Sequence, residues 1–409
     1  MKYAVGQIGA RRHYLVPRAM HEAGMLERFY TDLCSSVGWL RWLHLVPPAL
    51  RSDGLRRLLG RMPAGVPRGR IVAFNRFGFA YARQRRDARS AAQTAEAHLR
   101  AGQRFCELLL AHDAGRADAV YGFNKASLEM LRAFRSSGRR TVLDQTSTPR
   151  TIEHALLAAQ AELHPEWHAP LDDADQPDAL AQRESAEWDE ADVIICGSTF
   201  VRDGIVACGG PSDRCRVVPA GLDLRGAFDG SGRKRPPDDC PLRVLTVGNV
   251  SLHKGSATVL EVARAFDRQR VQFRMVGSVS APDAVRPALH TALELSGAVP
   301  RSDMPGVYAA ADVFLLPSLA EGSSLAVYEA MAAGLPVICT ANTGSIVRDG
   351  VDGYIVGVGD AAGIIARLDS LARDRDLLVT LSQSARTRVA DYSLEHYRQR
   401  LTAAIALDG

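Results

Sequence analysis

Two glutamates eight residues apart, Glu321 and Glu329, bracket the segment Gly322-Ser323-Ser324-Leu325, and a lysine, Lys254, closes the loop that begins at Gly248-Asn249. Carboxylates accept hydrogen bonds from hydroxyls, and a lysine at a helix start neutralises phosphate, so this set suits a ligand joining sugar hydroxyls to a phosphate. The glutamate pair follows an apolar run, Asp312 to Ser318, and leads into a second, Pro336 to Thr340; the spacing predicts strand, loop, helix, strand, with both strands buried. Gly322, Ser323 and Ser324 then fall where a helix begins, and its free amides and positive dipole end make an anion site. Glu321 on the loop and Glu329 two turns along face the crevice above the carboxyl edge of the sheet, one to meet a sugar and the other a ribose. Lys254 stands beside another helix start, Gly255-Ser256, after a strand Leu242 to Gly248. Because the lysine precedes the second glycine, this is not a Walker A loop.

The pattern Glu321-x7-Glu329 followed by Ala333-x-x-Pro336-Val, with Gly334 between, resembles the nucleotide-sugar glycosyltransferases of the GT-B fold, specifically the retaining family 4 group. The run Arg216-Val-Val-Pro-Ala-Gly221-Leu-Asp223 is similar to that family's V-I-P-N-G-V-D element, with Ala220 in place of the usual Asn. The resemblance implies an α/β architecture of two Rossmann-like domains with parallel sheets facing across an interdomain cleft. It implies a hexosyl group moved from a UDP- or GDP-sugar to a hydroxyl acceptor in cell-surface glycan or glycolipid synthesis, without metal or other cofactor. Glu321 would hold the donor sugar, Glu329 the ribose, and Lys254 with helix N-termini the leaving diphosphate. In the family an Arg follows the first glycine of the lysine loop; here Asn249 stands there, and His253 is a partial substitute. The strand Val271 to Gly277 resembles the one before the nucleotide loop, which makes Ser278 and the stretch 299–301 candidate base contacts. Two rivals stay open: a GT-B-like sugar-nucleotide epimerase, and an inactive partner subunit that activates another transferase.

Elements must position these groups, and 409 residues exceed the roughly 250 to 300 that one core supports. The expected division is an acceptor lobe at 1–223, a Gly- and Pro-rich flexible linker at 224–241, a nucleotide-sugar lobe at 242–392, and a C-terminal helix at 393–409 crossing back to the first lobe. In the first lobe, Lys2 to Val5 reads as a strand, and Gly6 to His13 as a glycine loop before the helix Tyr14 to Ala23. The resemblance places that loop at the diphosphate and acceptor, so Gly6, Gly9, Arg11, Arg12 and His13 are acceptor-cleft candidates. Successive strands at 118–123, 140–145 and 192–196, each followed by a helix, predict a doubly wound parallel sheet. Asn124 follows the first of them, near where family members carry a histidine, and joins the acceptor-cleft candidates.

The seven cysteines form no C-x-x-C pair, and no Asp-x-Asp ends a predicted strand, so no metal site is indicated. His164, Glu166 and His168 fall in a proline-rich, acidic stretch, 162–183, read as a mobile surface insertion. Charge is unevenly spread: residues 1–100 hold 18 Lys and Arg against 6 Asp and Glu, within a total of 50 against 46. From Cys34 to Arg89, tryptophans and leucines interleave with arginines, which suits a segment lying on an anionic membrane surface; the alternative is a helical hairpin with its tryptophans packed inward. No nucleic-acid motif accompanies the charge. With neither a secretory leader nor an apolar run long enough to span a bilayer, the expected place is the cytosol, with a peripheral position at the inner face of the membrane as a variant.

Overall fold

The computed structural model describes residues 1–112, 116–167, 178–224, 228 and 235–406. Among the described residues thirteen strands form two sheets, and every pairing within them is parallel. The first sheet holds β1 (Tyr3–Gln7), β2 (Leu26–Thr31), β3 (Ile71–Ala73), β4 (Ala119–Phe123), β5 (Arg140–Gln145), β6 (Val193–Cys196) and β7 (Cys215–Val217), in the order β3-β2-β1-β4-β5-β6-β7. The second holds β8 (Leu242–Val247), β9 (Val271–Val276), β10 (Glu294–Leu295), β11 (Val313–Leu316), β12 (Val337–Thr340) and β13 (Gly353–Val356), in the order β10-β9-β8-β11-β12-β13. Helices cover both faces, so the central strands are apolar on both sides, as in β4 and β11, where every residue is buried.

In each sheet the strand order reverses once, between β1 and β4 and between β8 and β11. At such a switch point the flanking connections run to opposite faces and leave a crevice above the carboxyl ends of the strands. The loops after β1 and β4 face it in the first lobe, and those after β8 and β11 in the second. The last helix, Leu394–Ala406, buries Leu394, Tyr397, Leu401 and Ile405 in the apolar cluster of the first lobe, together with Tyr3 and Val5.

Several details depart from the sequence-based expectation. β1 runs on to Gln7, so Gly6 is a strand residue and not part of the cleft loop. A Cβ there would lie 2.8 Å from Leu109 Cδ1 and 3.1 Å from Met130 Sδ, so its glycine serves close helix packing. The stretch 162–183 is not simply a surface insertion, because Trp167 is buried within the apolar cluster of the second lobe. His168 and half of the predicted linker lie outside the described residues; within that linker Phe228 is buried and meets Tyr308 edge-on at 5.6 Å. Trp39 and Trp42 are 56% and 60% exposed, which removes the inward-packed hairpin.

Candidate active site

The second lobe supplies one wall of the cleft. The Lys254 ammonium forms a short ion pair with Glu321 Oε1, which also accepts a hydrogen bond from Ser318 Oγ at 3.1 Å. Both side chains are only partly covered, 21% and 15% exposed, so each stays open to a ligand. Gly255 is at φ +71°, and a Cβ on it would sit 2.0 Å from Pro317 O; only glycine brings the lysine loop this close to the end of β11. Gly248 lies beneath the lysine stem, the position of a Cβ there being 3.3 Å from Lys254 Cε. Asn249 Oδ1 accepts from Ser278 Oγ and Ser280 Oγ, each at 3.0 Å, so this side chain braces two loops where the family's arginine would carry charge.

Glu329 is buried. Its Oε2 accepts from Tyr308 OH at 2.9 Å and its Oε1 pairs with Arg301 at 2.5 Å. Arg301 in turn lies over the Phe228 ring at 5.2 Å. An interlobe cavity of about 520 Å³ opens here, lined by His13, Arg301 and Leu325 among others. His13 reaches solvent through that cavity yet is flanked by protein. Desolvation first, then the nearby Arg301 charge, holds its imidazole pKa below the ordinary range, with Glu329 opposing. A neutral imidazole at neutral pH can therefore accept a hydrogen bond.

Ser323 Oγ hydrogen-bonds Tyr328 OH at 2.8 Å and accepts from Ala220 N at 3.3 Å. The Ser324 amide, expected to be free, donates to Thr343 O at 3.2 Å, and the Val327 amide to Ser324 O at 3.0 Å, so two of the amides at the start of helix Leu325–Ala332 are already engaged.

In the first lobe the loop after β1 is tied down at both ends. Gly9 N donates to Asp32 Oδ1 at 2.9 Å, and Gln7 Nε2 donates to the carbonyls of Gly9 and Arg11 at 2.7 and 3.2 Å. Arg12, His13 and Tyr14 then take φ of 47°, 50° and 62°, a left-handed turn of three non-glycine residues. Such residues cost about 1 to 2 kcal/mol each, strain that persists where a site over-determines it. The turn aims Arg12 inward to pair with Asp144 at 3.2 Å, both side chains being almost fully covered. Arg11 donates to Asn124 Oδ1 at 2.9 Å and Thr146 Oγ1 at 3.0 Å. Asn124 also donates to Ser147 Oγ and Glu184 Oε1 and is 1% exposed. Asn124, expected at the cleft, thus sits behind the wall, whereas Arg12 lines the interlobe cavity beside His13. Asn124 positions the loops that face the cleft, because its polar groups are already engaged inside the lobe.

The walls meet at Gly322, where a Cβ would lie 1.8 Å from Thr146 O. Thr148 Oγ1 donates to Glu321 O at 3.1 Å, and His253 Nε2 lies 3.2 Å from Glu153 across the same gap. By its position after the strand 140–145, the loop from Asp144 to Arg150 is open to donor or acceptor contacts, and Thr146 and Thr148 of that loop lie here; sequence reasoning missed the partners of these residues and the role of Ser318. Ser318 carried a local signal in the Pro317-Ser318 motif; the others become relevant through contacts more than a hundred residues apart. Among the described residues no cluster of three His, Cys, Asp or Glu side chains is placed to hold a metal ion, and no helix is long and apolar enough to cross a membrane.

Residues 241–374 match the family model described as "Glycosyl transferases group 1". A putative colanic acid biosynthesis glycosyltransferase WcaL of Salmonella typhimurium is 30% identical over 52% of this chain and 56% of its own length. This chain spans about half the length of the curated relatives it matches. Among solved structures, a sucrose-phosphate synthase from Thermosynechococcus elongatus superposes with a TM-score of 0.70 at 18% identity, covering 99% of this chain and 98% of that one. HepE of Anabaena in complex with UDP-glucose does so with a TM-score of 0.61 at 15% identity, covering 99% of each. These likenesses establish the two-lobed GT-B fold.

Proposed function

We infer that this chain, a GT-B protein whose residues 241–374 match the group 1 glycosyl transferase model, moves a hexosyl group from a nucleoside-diphosphate sugar to a hydroxyl acceptor with retention at the anomeric carbon. The observation that carries the reading is the Lys254–Glu321 pair, set at the switch point of the second sheet and facing the strained loop of the first. A cation and a carboxylate side by side match the two halves of a sugar diphosphate. On donor binding Lys254 turns to the diphosphate and Glu321 to the sugar hydroxyls. Glu329, fixed by Tyr308 and Arg301, takes the ribose.

In the transfer step the bond from the anomeric carbon to the diphosphate oxygen breaks, and the acceptor oxygen bonds to the same face. The acceptor proton passes to the departing diphosphate. Charge developing on that leaving group is met by Lys254 and the first-turn amides of the helix Leu325–Ala332, the preorganised electrostatic term that dominates such catalysis. No cofactor enters this scheme. His13 stands on the acceptor side of the cavity, placed to accept a hydrogen bond from the incoming hydroxyl. UDP or GDP is the nucleotide of the donor, and the acceptor is a lipid-linked or otherwise anionic glycan precursor in cell-surface polysaccharide synthesis at the cytosolic face of the membrane. The WcaL likeness and the basic first hundred residues support that setting.

The test is a melting series with UDP, GDP and other nucleoside diphosphates, followed by NMR of the anomeric product. One diphosphate is expected to raise the melting temperature, since a ligand that binds only the folded state stabilises it. A flat series would sink the reading. A shift without turnover of any donor would instead favour the partner-subunit alternative.

A further inference from the structure

Residues Gly38–Leu45 form a 3-10 helix of eight residues, longer than the three or four usual for this geometry. At three residues per turn, side chains three apart eclipse, so the helix has three straight edges. Leu40 faces inward, fully buried, and Arg41 and His44 share a second edge. The third edge is Trp39, Trp42 and Leu45, exposed by 56%, 60% and 75%. This is a straight apolar ridge held out to solvent by the fold. Trp39 stacks on Phe79 at 5.9 Å, which joins the ridge to the helix Asn75–Asp87. On that helix Arg76, Phe79 and Arg83 lie at i, i+3 and i+7 and share one face. Between residues 34 and 89 there are 12 arginines against 2 acidic residues, Asp53 and Asp87.

We propose that this ridge and its flanking arginines seat the first lobe on an anionic lipid bilayer, with the two indole rings at the headgroup level. Three observations select lipid over a protein partner. Tryptophan and leucine on one edge with arginine beside them is the composition of an interfacial anchor. The strong excess of one sign of charge complements a uniformly anionic surface. A groove of about 830 Å³ opens beside the ridge from Trp39 and runs to Tyr81. The seating is independent of the donor chemistry and adds to the proposed function the surface on which it takes place.

Flotation of the whole chain on phosphatidylcholine vesicles, with and without phosphatidylglycerol, tests it. The wild type is expected to float with the anionic vesicles and to be released by high salt. Trp39→Ser/Trp42→Ser should lower partitioning about ten-fold on the anionic vesicles. Arg76→Ser/Arg83→Ser should reduce the preference for phosphatidylglycerol while leaving the ridge intact. The nucleotide-induced melting shift of each variant serves as the fold control, and losing that shift in the wild type would count against the transfer reading alone. Failure of the wild type to float on either vesicle, equal flotation of the Trp variant, or a Trp-dependent dimer in sedimentation without lipid would overturn the proposal.

Discussion

Replacing Lys254 by Met and Glu321 by Gln should move UDP affinity in opposite directions. Methionine keeps the stem lying over Gly248 and removes only the charge, so the loop stays in place. The lost interaction is a charge-assisted hydrogen bond to phosphate, worth about 1.5 to 3 kcal/mol, or about ten- to a hundred-fold in Kd. Glu321→Gln acts otherwise. Without ligand, the carboxylate holds the lysine in a short ion pair, and a diphosphate arriving at that lysine meets the carboxylate as a like charge. Removing this charge in a partly exposed cleft relieves on the order of 1 kcal/mol after screening, so UDP should bind a few-fold more tightly. Transfer should nevertheless fall by about a hundred-fold or more, because the sugar loses its acceptor carboxylate. Isothermal calorimetry with UDP on the two variants reads the affinities, and labelled donor reads the rate. If both variants weakened UDP equally, or if Lys254→Met bound it as the wild type does, the pair would be a structural bridge and the division of roles would be refuted.

Two further outcomes follow from other contacts. Gly322→Ala puts a methyl 1.8 Å from Thr146 O across the lobes, so it should hold the cleft open, visible as a larger radius of gyration in solution scattering. It should cost transfer about a hundred-fold with little change in melting temperature; an unchanged rate would mean that closure at this point is not needed. Glu187 is buried and its carboxyl pKa is pushed up to about 7, by burial first, against the pull of Arg183 and the amides of Ser127 and Lys125. Its folded pKa lies above its unfolded one, so the fold binds the proton more tightly and its contribution is full below about pH 4.5 and lost as pH rises to about 7. The wild-type melting temperature minus that of Glu187→Gln should fall across that window, and a flat difference would remove the argument.

Much of the second lobe could be read from local pattern. The apolar runs that became β8, β11 and β12 are continuous because helices cover both faces, and glycines at 248, 255 and 322 mark the loops where backbones come close. The first lobe was less legible. β2 reads Leu-Glu-Arg-Phe-Tyr-Thr, with two charges inside it, and β3 is three residues long; neither carries a strand period that stands above chance. Gly6 looked like a loop glycine because its reason, the packing of Leu109 and Met130, lies over a hundred residues away. Asn124 carried the right chemistry for a cleft, yet its partner Glu184 draws it behind the wall, and no local spacing announces a buried pair of that kind. Trp167 failed to register for the opposite reason: its acidic, proline-rich surroundings disguised a side chain that anchors in the other lobe.

The most direct measurement is transfer of labelled sugar from a panel of nucleotide sugars by the wild type and by Lys254→Met, with slow donor hydrolysis counted as turnover. At least one donor should be consumed by the wild type, and the variant should consume it about a hundred-fold more slowly or not at all. Indifference to every donor, or equal rates for the two proteins, would contradict the claim that this cleft grips a sugar diphosphate through Lys254.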